Sequence, residues 1–136
     1  MAEFQKFNSF VEELAHKEHN LGSDNFKIAL TDVAPTASNA VLADLTTADL
    51  TNLLSDDLSV TSSEQTDGTY ALKLNDKTLE ASGGSVGPFR YIVIYNDTST
   101  NKKLVSFYDY GDSITLNDGN TLEIKFNQTD GALTLV

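Results

Sequence analysis

Short alternating segments separated by turn signals fill the chain from residue 58 onward, and they constrain the fold more than any other feature. The turn signals are TDGTY, LNDKT, YNDTSTNKK, DYGDS, NDGNT and TDGAL. Asp-Gly and Asn-Asp-Gly favour the positive backbone angles that tight hairpins need. We therefore predict strands at 58–63, 69–74, 77–82, 89–96, 103–109, 113–116, 121–127 and 132–136.

Two of these strands indicate how the sheets are covered. The run from Phe89 to Tyr95 is apolar on both faces except at Arg90, which is typical of a central strand. The run TLEIKF at 121–126 alternates, which is typical of a sheet with one exposed face. Many short strands joined by tight turns favour two packed sheets or a barrel. The predicted fold is mainly β, a single-domain β-sandwich.

The N-terminal segment has a different period. Its apolar residues recur at three- and four-residue spacing, which predicts a short amphipathic helix over 3–18 that Gly22 follows. Residues 1–22 are therefore predicted to be a helical arm and residues 23–136 the β-sandwich domain. Such a helix can dock on its own domain or on a neighbour. Its apolar residues are Phe4, Phe7, Phe10, Val11 and Leu14.

Between the arm and the strand-rich half lie one more strand and a long connection. Alternation at Phe26, Ile28 and Leu30 predicts the strand. The segment TDVAPTASNAVLADL that follows is predicted to be irregular, because Pro35 disfavours helix at the residue before it. A helical stretch is predicted for TTADLTNLLS, whose leucines supply an apolar side.

Composition excludes several function classes. A chain of 136 residues is one domain by size. The chain contains no cysteine, so thiolate nucleophiles and cysteine-based metal sites are excluded. A net charge of -11 weighs against nucleic acid as a partner. No apolar run is long enough to cross a membrane, and the N-terminal residues lack the pattern of a secretory signal, so we expect no membrane partner and synthesis in the cytoplasm.

No motif indicates catalysis. The glycine-rich GGSVGP precedes a strand, whereas phosphate-binding loops open a helix. The nucleophile elbow GxSxG is absent. We therefore predict no catalytic residue and no cofactor.

Two groups of residues contain the side chains that a metal site needs. His16 and His19 lie near Glu12 and Glu13, but their order is not HExxH, and an exposed helix face is the favoured interpretation. Aspartates in the turn signals could hold calcium, but those turns do not match the alternating calcium loop. We predict no metal. The aspartates are Asp109, Asp112, Asp118 and Asp130.

An aromatic set is the remaining candidate for a small-molecule site. Tyrosines in alternating strands mostly fill the core or an edge, but they can also stack on sugars. A carbohydrate-binding module that uses Tyr91, Tyr95 or Tyr108 is therefore one alternative function. The full set is Tyr91, Tyr95, Phe107, Tyr108 and Tyr110.

Three segments together resemble a family of small virion structural proteins of tailed bacteriophages. The segments are HNLGSDNFKIALTDVAPTASNAVLADLT, GGSVGPFRYIVIYNDTS and LVSFYDYGDSITLNDGNTLEIKF, within residues 19–128. The most specific parts are LTDVAP with Asn39 and LADLT after it, GPFRY at 87–91, and DYGDSITL at 109–116. Members of the family resemble capsid decoration (cement) proteins.

The resemblance implies a non-enzymatic protein with a β-sandwich of jelly-roll type that is clamped across neighbouring capsid subunits. Its partners would be the major capsid protein and other copies of itself on the capsid surface of the virion. A tail or baseplate component stays open as an alternative, as do the monomeric, dimeric and trimeric states. The expected contact residues lie in the arm and in the LTDVAP connection: Phe4, Phe7, Phe10, Val11, Leu14, Thr31, Pro35 and Asn39.

The same motifs predict a local structure around Arg90. Gly87 and Pro88 are expected to set the entry into the central strand. Arg90 is expected to be buried or at an interface, which requires a carboxylate partner such as Asp97 or Asp109. DYGDSITL is expected to close a hairpin beside it.

Overall fold

A computed structural model describes residues 3–136, and most of its regular structure is β. This confirms the mainly β class. The helical elements are α1 (Asn8–Ala15) and one 3₁₀ turn (Leu42–Asp44). The strands are β1 (Gln5–Lys6), β2 (Phe26–Thr31), β3 (Val60–Thr66), β4 (Thr69–Leu74), β5 (Lys77–Glu80), β6 (Val86–Asn96), β7 (Lys103–Leu116), β8 (Thr121–Ile124) and β9 (Leu133–Leu135).

All strand pairs are antiparallel and form three sheets. The largest has the order β1-β7-β6-β2, the second β3-β4-β9 and the third β5-β8. Strand β6 lies between β7 and β2, as its apolar faces predict, and Phe89 and Val93 are fully buried. This central strand joins β7 to β2 within the four-stranded sheet.

Three apolar clusters cover the two faces of the four-stranded sheet. One joins it to β4 and β9, and includes Phe10 and Tyr108. A second joins it to β5 and β8, and includes Phe89. The third contains Val93, and there Phe7 and the partly buried Leu42 pack on the sheet. The small sheets therefore share a core with the large one, while the N-terminal segment and the connection contribute to the third cluster.

The turn chemistry predicted for one hairpin is confirmed. Asp67 and Gly68 both have positive φ, at 53° and 87°, and they join β3 to β4 in a two-residue loop. Strand β4 begins and ends where the alternation predicts, at 69 and 74. Local sequence is sufficient here because both the turn and the strand period are encoded within a few residues.

The hairpin predicted at DYGDSITL is wrong. Residues 103–116 form one strand, and β6 is long enough to pair with both of its ends, at Asn96↔Lys103 and Val86↔Leu116. The polar residues are accommodated as a bulge: Tyr91 pairs with Asp109 and Phe89 with Ile114. A turn signal such as DYGDS can therefore mark a bulge inside a strand as well as the end of a strand.

The helix predicted for TTADLTNLLS is also wrong. This segment runs between two sheet edges, where the N–H of Ala48 donates to the Leu30 carbonyl (2.7 Å) and that of Leu54 to the Glu80 carbonyl (3.1 Å). Leu53 is buried in the second cluster. The spacing of the leucines in this segment therefore reflects contacts with two sheets rather than one face of a helix.

The N-terminal helix is shorter than the predicted span of 3–18. Residues 8–15 are helical, whereas Gln5 and Lys6 form a strand that pairs with Phe107 and Ser106 of β7. Phe4 and Phe7 therefore lie outside the helix. Their spacing relative to Phe10 resembles a helical period, but strand pairing with β7 decides the conformation of this segment.

Candidate functional site

Two segments that include predicted contact residues, the N-terminal segment and the long connection over residues 32–59, meet beside β7. The N–H of Asn8 donates to the Ala37 carbonyl at 2.9 Å. The N–H of Leu104 donates to the Ala40 carbonyl at 3.0 Å, and that of Phe7 to the Val105 carbonyl at 3.2 Å. One edge of β7 is thus occupied by both segments, which lie side by side.

Hydrogen bonds hold the first half of the connection in place. The buried Thr31 hydroxyl contacts the Thr46 carbonyl (2.5 Å) and accepts from the Val33 N–H (3.0 Å). The carboxylate of Asp44 accepts from the N–H groups of Ala40 and Val41, and these bonds hold the pKa of Asp44 below its usual range. The connection is irregular, but its backbone is fixed at both ends of this stretch.

The side chains between these anchors are small and exposed. Val33 is 58% exposed, and residues 32–34 and 36–38 are all exposed. On the adjoining helix Val11 is 49% exposed. We define the exposed residues 32–34 and 36–38 together with Val11 as the connection surface. Apart from the acidic Asp32, it offers short apolar and hydroxyl side chains on a backbone that is already ordered, which suits contact with a flat partner.

The structure places the eight expected contact residues unevenly. Four are buried within the domain's own core, and so they cannot contact a partner without leaving it. Phe4, Leu14 and Asn39 are half-buried, and only Val11 is largely exposed. The N-terminal segment is therefore packed on the domain rather than extended from it. The four buried residues are Phe7, Phe10, Thr31 and Pro35.

Arg90 has the partner that its sequence context predicts, but it is not buried. Its Nε and Nη2 donate to the two carboxylate oxygens of Asp109 at 2.8 and 3.1 Å. These bonds from Arg90, and one from the Gly111 N–H, lower the pKa of Asp109. Asp97, the other predicted partner, binds Lys102 at 2.7 Å instead. The guanidinium of Arg90 and the carboxylate of Asp109 lie beside the β7 bulge.

Gly87 and Pro88 lie inside β6, which begins at Val86, so the prediction that they set the entry into the strand is wrong. Gly87 is instead a point of close approach to β7. Its φ is +120°, and a Cβ there would lie 2.8 Å from the Ile114 carbonyl oxygen. No L side chain is accommodated at that distance without moving the backbone of β7. This close approach is part of the irregular pairing between β6 and β7.

His19 is buried, so the exposed-face interpretation is wrong for it and right only for His16. The His19 Nδ1 lies 3.0 Å from Asn96 Nδ2, and its Nε2 lies 3.9 Å from Glu13 Oε2. Glu13 in turn lies 3.6 Å from Lys103 Nζ. Burial lowers the pKa of His19. These residues join the end of α1 to the sheet, since the chain folds back at the loop after Ala15.

Within residues 3–136 no three His, Asp or Glu side chains converge as metal ligands, and no helix is long and apolar enough to span a membrane. The tyrosines proposed for sugar stacking are unevenly placed. Tyr95 and Tyr108 are buried, and Tyr91 is half-buried. Burial raises the pKa of Tyr108 well above its usual range. Two of the three rings therefore cannot stack flat on a sugar.

Sequence reasoning missed one surface feature, an apolar groove of about 330 Å³ beside β8. The alternation of TLEIKF indicates which side chains face inward, but it contains no information on which strand lies next to it. The exposed ring of Tyr110, placed by the β7 bulge, forms part of one wall. The apolar lining residues are Ile92, Tyr108, Tyr110, Leu122, Ile124 and Phe126.

Comparison with family models, with curated proteins and with solved structures found no match for this chain.

Proposed function

We propose that this protein is a non-enzymatic capsid decoration (cement) protein of a tailed phage. It would bind the outside of the head and stabilise contacts between major capsid protein subunits. The observation that carries the proposal is the connection surface, an exposed and ordered stretch of small side chains. The phage assignment itself rests on the sequence motifs at LTDVAP, GPFRY and DYGDSITL.

The geometry of the connection surface supports adhesion. Because hydrogen bonds at Thr31 and Asp44 already order the backbone, binding would cost little additional conformational entropy. Val33 and Val11 would be covered on binding, and each contributes through the apolar area removed from water. Repetition of a weak contact at many sites on a shell raises overall attachment without any deep pocket.

For the fold, we propose a two-layer β-sandwich of jelly-roll type. The four-stranded sheet would form one layer and the two smaller sheets the other. Support comes from the two clusters in which Phe89 and Tyr108 share a core with residues of the smaller sheets.

Co-sedimentation with empty heads of the phage that encodes the chain tests the proposal. We expect the purified protein to sediment with heads, and V33D to weaken binding at least about tenfold, because a charge replaces an exposed apolar contact. L54D is the matched control: Leu54 is 63% exposed, but it lies in the segment that bonds to Glu80. L54D should bind like the unchanged protein.

Failure of the unchanged protein to sediment with heads at any concentration would overturn the proposal. Equal binding by V33D and the unchanged protein would show that the connection surface does not contact the capsid. Mass spectrometry of virions separated into heads and tails distinguishes the tail or baseplate alternative, because a decoration protein would be found only with the heads.

A further inference from the structure

Strand β8 has one paired edge and one free edge. Among residues 3–136 it pairs only with β5, in a register that includes Leu79↔Leu122 and Lys77↔Ile124. Outside this pairing, Glu123 makes no backbone hydrogen bond within the described chain, and neither does Lys125, which directly follows β8. An unpaired strand edge is a template on which another strand can add.

The direction of the backbone groups follows from the neighbouring bonds. At the start of β8, the Ala81 N–H donates to the Asn120 carbonyl at 3.1 Å, so residue 120 bonds toward β5. At its end, the Phe126 N–H donates to the Asp76 carboxylate at 2.9 Å, again inward. In an antiparallel pair the direction alternates by residue. The N–H and C=O groups of Glu123 and Lys125 therefore point to the free edge.

The space beside that edge is the apolar groove described above. Its far wall comes from Tyr108 and Tyr110 of β7. The inward side chains of Leu122 and Ile124 are only half-buried by the domain itself. A strand added at the edge, about 4.8 Å from β8, would lie over this groove and cover these side chains.

We propose that the free edge of β8, together with Lys125 and Phe126 directly after it, is a self-association surface, on which a second copy of this chain adds the same segment in antiparallel orientation about a two-fold axis at Ile124. A two-fold axis there sets Glu123 opposite Lys125 of the second copy, and Lys125 opposite its Glu123. Ile124 meets Ile124, and Leu122 meets Phe126. Every directly opposed pair among residues 122–126 is thus apolar with apolar or acidic with basic, which are the pairs that stabilise neighbouring strands.

The backbone bonds agree with this register. Glu123 and Lys125 are the residues whose backbone groups point outward, and in the paired state each exchanges both its N–H and C=O bonds with the residue opposite. Their side chains are available, being 51% and 70% exposed, and they lie 3.5 Å apart within one chain. The surface is therefore complementary to itself in both backbone and charge.

The two charges also exclude neighbouring registers. A shift by two residues in one direction sets Lys125 opposite Lys125, and a shift in the other direction sets Glu123 opposite Glu123. Like charges directly opposite each other destabilise a strand pair. A second copy fits this edge better than a basic peptide would, because the outward face already carries one charge of each sign. The dimer forms without a capsid, so the inference is independent of the proposed function.

Sedimentation equilibrium of the purified chain from about 10 μM to 1 mM, in about 0.15 M salt, tests the proposal. We expect a reversible dimer. E123K and K125E should each weaken dimerisation at least about tenfold, because each sets two like-charge pairs across the two-fold axis. A mixture of the two variants should regain dimers, since every opposed pair is then of opposite sign.

The double variant E123K/K125E should dimerise like the unchanged chain, and it controls for effects of either substitution on folding. Far-UV circular dichroism of each single variant checks that the fold is retained. A chain that stays monomeric up to about 1 mM would overturn the proposal. Dimers that persist in both single variants, or single variants that do not pair with each other, would also overturn it.

Discussion

Strands β6 and β7 hold each other through a long ladder that bulges interrupt, whereas the long connection over residues 32–59 is held to the same domain by scattered single contacts. The ladder runs from Asn96↔Lys103 to Val86↔Leu116. The connection is fixed by individual bonds, such as those of Ala48 to Leu30 and Leu54 to Glu80. Both regions are ordered, but their order has different sources.

The difference predicts where each region is vulnerable. Loss of one side chain in the ladder region leaves a cavity in a core that the four-stranded sheet shares with β5 and β8, so the whole domain should lose stability. Loss of one anchor in the connection leaves the sheets intact, so only local opening should become easier. Substitutions in the two regions can therefore separate global from local stability.

The largest effect is expected for Phe89→Ala in β6. Phe89 is fully buried, and its truncation should lower the free energy of unfolding by about 3–5 kcal/mol. Urea denaturation measures the change. Phe89→Leu retains most of the volume and should lose less than about 1.5 kcal/mol, while the exposed Leu54→Ala should stay within about 0.5 kcal/mol. Equal losses in all three variants would contradict the role given to β6.

A smaller effect is expected for Thr31→Val at the start of the connection. The substitution retains the shape but leaves the Val33 N–H and the Thr46 carbonyl without the hydroxyl, which should cost about 1–3 kcal/mol locally. Hydrogen exchange should accelerate at the Val33 amide and stay unchanged in β6. Thr31→Ser, which retains the hydroxyl, is the control. Uniform acceleration throughout the domain would show that the connection is not an independent unit.

The smallest effect concerns His19, which joins the N-terminal segment to the end of β6 at Asn96. Since burial lowers its pKa in the folded state, the unfolded chain takes up the proton more readily. Its contribution is complete above the ordinary histidine pKa of about 6.5, and it diminishes as pH falls below that value.

The measurement is the free energy of unfolding of the unchanged protein and of His19→Asn between pH 7.5 and 5. The unchanged protein should lose stability relative to the variant with a slope of at most about 1.4 kcal/mol per pH unit. Carboxylates are common to both proteins, so their titration cancels in the difference. A constant difference over this range would contradict the effect of burial on His19.

Local sequence predicted the strands whose period and turns lie within a few residues. Strands β2 and β4 and the Asp67-Gly68 turn are of this kind. The hairpin predicted at DYGDSITL was wrong because a turn signal contains no information on how far the neighbouring strand extends. The helix predicted at TTADLTNLLS was wrong because Leu50 and Leu53 pack against sheet residues that are distant in sequence.

The candidate sites divide in the same way. The partnership of Arg90 with Asp109 could be anticipated, since a charge in an apolar strand requires a carboxylate and few were near. The burial of Phe7 and Phe10 could not, because an amphipathic segment has the same sequence whether it covers its own domain or a neighbour. The sequence likewise does not predict that one edge of β8 is unpaired.

By itself, the sequence determined a mainly β domain, the central place of β6 and the positions of its tightest turns, because side-chain period and turn chemistry act over a few residues. Tertiary structure alone decided that β7 is one strand, that the N-terminal aromatics are covered, and that Glu123 and Lys125 flank an open edge. Strand pairing joins residues far apart in the chain, and no local pattern specifies which edges stay unpaired.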